Sequence, residues 1–474
     1  LWYNRFVVSD GLIDRVAEQR ALHDCFGAAT RGEPQLVVVH GRRRVGKTYL
    51  LSSLARTRRA VYFASTRQSE HVELARFAEA IARDLGEDAA ALVGGGFTSW
   101  EAALRFVAAL GRDEPLLVVL DEATYLEGST PGFASIVQAW WDHLERPSCL
   151  QLVLTGSAIG TLTQMVGADG PLRGRPTLDL RIDPVDVTSA AAFCPRLSPR
   201  ELIQAWAVCG GYPQHLLAWD AGEGFEQNLQ RLAGTAGGIL LTSAGDIVRE
   251  SVGDAAGYAR VLGAIGRGRT RISAIASDAG QRIEHPVEVL RAAGLVRREM
   301  PVGAPRGARA TYDIDDLYLR FWYATLFADE QLVAGGQGRA VLARRSDLVR
   351  RHVAFAFEEA ARAHAVRLVA TGERAPDSII GRWWKSSGGQ LEVDVLGLRG
   401  GRTSLVGEVK WSDSAADIDL AARLDRILEQ VPEPTDDVER VVWAAVGGTR
   451  ALHDAGVAVY DASDVVTSTE RARQ

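Results

Sequence analysis

Residues 36–48 confine what this chain can fold into more than any other stretch. Leu36-Val37-Val38-Val39-His40 is an apolar run of strand length, and Gly41-Arg42-Arg43-Arg44-Val45-Gly46-Lys47-Thr48 follows it directly. Tyr49 to Leu54 then reads as a helix. The pattern GxxxxGK[ST] between a strand and a helix is a phosphate-cradling loop. Gly41 and Gly46 let backbone N–H groups turn around phosphate oxygens, and the helix N-terminus adds its dipole. Lys47 is expected at the β- and γ-phosphates of ATP and Thr48 at Mg2+. Arg42, Arg43, Arg44, Val45 and Tyr49 complete the expected nucleotide-binding segment. Such a strand belongs to a parallel sheet with the ligand at the strand carboxyl ends.

Two further apolar runs fit the same sheet. Leu116 to Leu120 ends in Asp121-Glu122, where Asp121 is expected at Mg2+ and Glu122 at the attacking water. Leu150 to Leu154 ends in Thr155-Gly156-Ser157, which puts the Ser157 hydroxyl in a position to sense the γ-phosphate. Val61-Tyr62-Phe63 reads as one more strand. Upstream, Leu12-Ile13-Asp14-Arg15, with Glu18 and Leu22, is a turn into a helix of the kind against which adenine rests. Pro171-Leu172-Arg173-Gly174-Arg175 carries two arginines. Either one, Arg175 foremost, reaches a γ-phosphate as a finger from a neighbouring copy, or both merely solvate a loop.

Composition narrows the class. The 474 residues are three times the length of one domain, and 47% hydrophobic with 24% charged is ordinary globular usage. A net charge of −6 excludes a polycation that coats nucleic acid by bulk charge. The four cysteines form no CxxC pair, which argues against a zinc ribbon and fits a reducing cytoplasm. No apolar run is long enough for a membrane span, so no membrane partner is expected. Lysine is scarce: of 54 basic residues only Lys47, Lys385 and Lys410 are lysine. Where a planar guanidinium will not fit, a compact ammonium on a thin stem must remain.

The middle of the chain is Ala/Leu-rich and helical from about 185 to 250, interrupted by Gly210-Gly211-Tyr212-Pro213. Residues 261–310 read as a winged helix: helices around Ile272–Ala276 and Val287–Leu290, then a hairpin from Gly294 to Ile314 with Arg297–Ala310 as its wing. That stretch holds nine arginines against four acidic residues. A basic winged helix suits DNA phosphates, whereas a packing role is the bland alternative.

The last 130 residues carry a second constellation. Glu358 lies in an amphipathic helical stretch. Leu391 to Leu396 reads as a strand bearing Asp394, with Glu392 on the same face, and Gly400-Gly401 turns into a strand bearing Glu408 and Lys410. The spacing D-x13-E-x-K is that of a PD-(D/E)xK nuclease core. Alternation along a strand puts Glu408 and Lys410 on one face. Asp394 and Glu408 are expected to hold Mg2+, with Glu358 as an additional ligand and Lys410 activating water or steadying the phosphate. The usual Pro is Val393 here. Lys385 beside Trp383-Trp384 has no comparable assignment.

Taken together, GRRRVGKT, DEATYL, LTGSAIG, PLRGR, GGYP, YDIDDLYLRFWY, AFEEAAR, GRWW, EVDVLG and GEVKW resemble the archaeal-type AAA+/STAND-like P-loop ATPases with a C-terminal DUF234-type domain. The resemblance spans nearly the whole chain in order. It implies a multidomain α/β architecture: a P-loop AAA+ parallel sheet, a helical lid, a winged helix and a restriction-endonuclease-like α/β domain. The corresponding partition is 1–182, 183–255, 256–320, a helical linker at 321–345, and 346–474. It also implies that Gly211 and Pro213 touch bound nucleotide, although Gln214-His215 replace the aromatic pair often found there. The implied function is an ATP-hydrolysing protein that binds DNA and carries a metal-dependent nuclease, in a form that admits a homo-oligomer. The alternative is a nucleotide-switched DNA- or protein-binding regulator whose nuclease-like domain is inactive.

Overall fold

The computed structural model describes residues 14–157, 159–253, 256–304, 308–385 and 391–467. Leu12, Ile13 and Arg306 therefore lie outside the described residues. The chain divides into two compact units, 1–183 with 249–253, and 184–248 with 254–474.

The first unit is built on five parallel strands, β1 (Gln35–His40), β2 (Ala60–Ala64), β3 (Leu116–Asp121), β4 (Leu150–Gly156) and β5 (Leu178–Arg181), in the order β2-β3-β4-β1-β5. Leu36–Val39 and Leu116–Leu120 are wholly buried, as strands covered by helices on both faces must be. Phe63, Phe77, Trp100 and Phe133 pack edge-on or tilted under one face, with Trp100 and Phe133 centroids 5.3 Å apart. The short edge strand β5 escaped the sequence reading: Leu-Asp-Leu-Arg alternates over only four residues. Because β4 lies between β1 and β3, the carboxyl ends of all three stand side by side, with His40 opposite Gly156.

In the second unit, the helix Pro199–Cys209 opens with a capping box between Ser198 and Glu201 and with Pro199 in its first turn. It packs against Leu317–Thr325 and against the long helix Ser346–Ala370. Between them come helices Ala256–Gly266, Ile272–Ala279 and Glu284–Ala292, then an antiparallel hairpin of β6 (Val296–Glu299) and β7 (Thr311–Ile314). The element order is the one read from the sequence, but the charge distribution is not. Arg297 pairs with Glu359, and Glu299 pairs with Arg382 at 3.1 Å. The Val302 N–H donates to the Arg382 carbonyl at 2.8 Å, and Val302 packs on the core of the C-terminal sheet. Arg267 and Arg269 share Asp278. The helix Glu284–Ala292 exposes Glu284, His285 and Glu288. Arg291 is exposed on the same helix, so its surface carries charges of both signs.

The C-terminal sheet has the order β12-β11-β10-β9-β8, from β8 (Ile379–Trp384), β9 (Glu392–Arg399), β10 (Arg402–Lys410), β11 (Pro434–Ala444) and β12 (Ala458–Tyr460). Strands β8, β9 and β10 run antiparallel, whereas β10, β11 and β12 run parallel. Gly400 and Gly401 adopt φ of 60° and 85° at the β9–β10 turn, a conformation glycine takes without steric cost. β8 was not foreseen, because Gly381 and Arg382 interrupt its apolar alternation where the register shifts. The helix Asp419–Leu428 covers the sheet through Ala421, Leu424 and Ile427. Among the described residues no helix is long and apolar enough to cross a membrane.

Candidate functional sites

The loop after β1 is shaped by its backbone. A Cβ on Gly41 would lie 2.2 Å from the Ile182 carbonyl oxygen, so only glycine lets the loop leave the strand here. Gly46 has φ 98°, and even Arg44 is held left-handed at 69°. Lys47, 5% exposed, donates from Nζ to the carbonyl oxygens of Gly41 (2.7 Å) and Arg42 (2.9 Å). Burial brings its ammonium down to about 8, against the pull of Glu122 and Asp121 and with Arg43 adding to the lowering. Two carbonyl oxygens at this distance suit the compact head of an ammonium.

The acidic side of the site meets it. Thr48 Oγ1 donates to Asp121 Oδ2 at 2.9 Å, and the Tyr62 hydroxyl donates to the same oxygen. The Tyr62 hydroxyl is held protonated far above its usual range, by burial first and then by the Asp121 charge. Glu122 sits in the left-handed region at φ 54°, and its Oε2 accepts from both the N–H and the hydroxyl of Ser157 at 3.0 Å. The side chain of Arg43 pairs with Glu250. Val45 is buried, and its carbonyl oxygen accepts from Arg15 at 3.0 Å, while Tyr49 is half-exposed on the helix that follows.

The structure thus brings together Gly41 to Thr48, Asp121, Glu122 and Ser157. It does not bring Arg173 or Arg175 to them. Thr177 N–H donates to Leu36 O at 2.8 Å, which places the segment before it at the amino end of β1, roughly 13 Å of strand from His40. Arg175 there holds Asp142 through two hydrogen bonds of 2.8 and 2.7 Å. It therefore cannot serve its own chain's γ-phosphate. Sequence reasoning placed Tyr62 only in a strand and Arg15 only in the turn expected near adenine, and missed the contacts of Tyr62 with Asp121 and of Arg15 with Val45.

Gly211 and Pro213 belong to the second unit. Gly211 has φ 73°, and a Cβ there would lie 2.1 Å from the Val185 carbonyl oxygen. The Tyr212 hydroxyl donates to Asp316 at 2.6 Å, and the His215 and Tyr318 rings are 4.6 Å apart. Two motifs far apart in the sequence, GGYP and DDLY, are thus one packed cluster.

The second constellation gathers at β9, β10 and two helices. Glu408 is 2% exposed. Its Oε1 accepts from Lys410 Nζ at 2.6 Å and forms an ion pair with Arg423 Nη2 at 2.9 Å, whereas its buried Oε2 has no hydrogen-bond partner. Asp394 Oδ2 accepts from the Val409 N–H at 2.9 Å, and the Asp394 carbonyl accepts from Arg362. The Asp394 carboxyl is raised by burial and then by the Glu408 charge. Glu358 is pushed up to about 7 by burial and by Asp394, against Arg362 and Arg382. Three carboxyl groups thus share one electrostatic neighbourhood. Even so, among the described residues no group of three or more His, Cys, Asp or Glu is close enough to hold a metal. Asp394 is turned to the backbone and Glu408 to two cations, which is how carboxylates in low dielectric avoid one another. Glu392 instead pairs with Arg382 and faces solvent. Lys385 is exposed, and its N–H donates to Leu391 O. Arg423 was missed, since nothing in its helical context distinguishes it.

Residues 12–218 match the model of an ATPase domain predominantly from Archaea, and residues 322–420 match DUF234, archaeal and bacterial proteins of unknown function. An uncharacterized protein of Methanocaldococcus jannaschii is 23% identical over 420 residues, 85% of this chain and 88% of its own. Among solved structures, a Walker-type ATPase of Pyrococcus abyssi is similar at a TM-score of 0.49 with 20% identity, covering 66% of this chain and 95% of that one. The ORC1 protein of Aeropyrum pernix, solved in complex with DNA, is similar at 0.37 with 18% identity, covering 71% and 95%.

Proposed function

With an archaeal-type ATPase domain at 12–218 and a DUF234 domain after it as premise, we propose that the first unit hydrolyses ATP at the loop Gly41–Thr48. One observation carries this: a hydrogen-bond chain joins the carboxyl ends of β1, β3 and β4, from Thr48 to Asp121 and from Glu122 to Ser157. Thr48 and Asp121 already share an oxygen-rich point, so they would hold Mg2+, which when bound supplies charge to the β- and γ-phosphate oxygens. Lys47 would exchange its loop carbonyls for phosphate. The γ-phosphate competes for the Ser157 donors and so frees Glu122 to orient water. Gly211 and Pro213 would contact the base, and Arg173 or Arg175 could act only from another copy. ATP turnover tests this: Glu122→Gln should bind ATP and not hydrolyse it, whereas undiminished turnover would contradict the assignment.

We propose further that the C-terminal sheet is of the PD-(D/E)xK type and cleaves phosphodiesters, DNA foremost. The supporting observation is the buried, unpartnered Oε2 of Glu408 beside Asp394. To hold a divalent ion, Glu408, Asp394 and Glu358 would have to turn toward one another from their present partners, and the ion when bound would supply Lewis acidity to a phosphate oxygen. Lys410 would hold the attacking water. The three helices before β6, with the β6–β7 hairpin, would be a winged helix whose exposed Arg282, Arg291, Arg298 and Arg309 add non-specific phosphate contacts. Calorimetric titration with Mn2+ tests the site, since Glu408→Gln should abolish binding. A wild-type chain that binds no Mn2+ there would favour the inactive regulator.

A further inference from the structure

Within the second unit, Glu408 is almost wholly buried, yet the two cations on its Oε1 reach outward. The Lys410 side chain is 38% exposed and the Arg423 side chain 48%. They arrive from different elements, Lys410 from the end of β10 and Arg423 from the outer face of the helix Asp419–Leu428. Two part-exposed cations thus meet on one carboxylate oxygen and present their charged groups at the surface above it. A guanidinium also presents a fork that matches two oxygens of a phosphate. The hairpin arginine expected at phosphate, Arg297, is by contrast tied to Glu359.

We propose that Arg423 and Lys410 form a phosphate clamp of the C-terminal unit, and that Arg423 leaves Glu408 for a substrate phosphodiester when a divalent ion takes that carboxylate. The clamp rests on the phosphodiesterase reading. It adds a residue with two alternative partners, so metal and guanidinium compete for Glu408 while metal and phosphodiester cooperate. Removing the guanidinium should therefore move the two affinities in opposite directions. A brace that only held the helix Asp419–Leu428 in place would weaken both.

The test uses the full-length protein as wild type, Arg423→Gln and Arg423→Lys, with melting temperature as the check on folding. Mn2+ affinity is measured by calorimetry, and binding of a short DNA oligonucleotide is measured in Ca2+ over a range of salt. Arg423→Gln should tighten Mn2+ about threefold or more and weaken oligonucleotide binding about tenfold. The salt slope should fall by a little under one unit, the value of one lost phosphate contact. Arg423→Lys should lie between. Unchanged affinities, or both falling together, would overturn the clamp. If wild type cleaves DNA while Arg423→Gln leaves both affinities unchanged, the clamp falls and the phosphodiesterase stands. If the affinities diverge as stated but no DNA is cut, the clamp stands and the cleavage assignment falls.

Discussion

The two centres are built by opposite means. At Gly41–Thr48 the backbone makes the site: turns at Gly41, Arg44 and Gly46 fix where N–H groups and Lys47 point, and few side chains matter. At Asp394, Glu408 and Lys410 the side chains make it, brought from β9, β10, the helix Ser346–Ala370 and the helix Asp419–Leu428 into a balance of like and unlike charges. A backbone site is rigid before its ligand arrives. A charge-balanced site can rearrange, and its balance is sensitive to each member.

Substitutions break this comparison most sharply at the first centre. Lys47→Ala should lower ATP turnover by about a thousandfold, since it removes the buried ammonium that the Gly41 and Arg42 carbonyls hold in place, as a steady-state assay would read. At the second, Lys410→Ala should cut metal-dependent cleavage by about a hundredfold, measured on plasmid and single-stranded DNA. Gly211→Ala perturbs the turn that holds the GGYP segment. With its Cβ 2.1 Å from the Val185 carbonyl, it should cost about 2–4 kcal/mol in denaturant unfolding, whereas a neutral effect would mean that the turn relaxes freely.

Protonation sharpens the contrast. Glu358 keeps its proton up to about 7, where a free glutamate loses it near 4.5. Between those values the folded chain binds the additional proton, so its contribution to stability is complete below 4.5 and is lost as pH rises through 7. Glu358→Gln should flatten that part of a melting-temperature profile, and an unaltered slope would count against the shared carboxyl neighbourhood. The smallest effect is expected at Tyr62→Phe. It removes one hydrogen bond to Asp121 and should raise the Mg2+ needed for half-maximal ATP turnover about fivefold, in line with about 1 kcal/mol for such a bond.

How much of this was legible in the sequence follows from the same contrast. The loop after β1 is contiguous, and its glycines are required by local geometry, so the string alone revealed strand, turn and helix. Asp121, Glu122 and Ser157 were found because buried parallel strands are apolar throughout and end abruptly in polar residues. The Asp394–Glu408–Lys410 set was legible as spacing on a hairpin, but Arg423 was not, because an exposed helical arginine looks like any other. Nor did counting arginines in 261–310 reveal that Asp278 and Glu359 occupy three of them, a matter of tertiary pairing. The short strand β5 and the interrupted β8 were lost for lack of a periodic pattern long enough to register.

The most direct measurement follows both reactions in one tube: ATP hydrolysis and Mg2+-dependent DNA cleavage by full-length wild type and Lys410→Ala. Two separate phosphate-handling centres require that the variant hydrolyse ATP at the wild-type rate while its cleavage collapses. A variant that cuts DNA as fast as wild type would contradict the account.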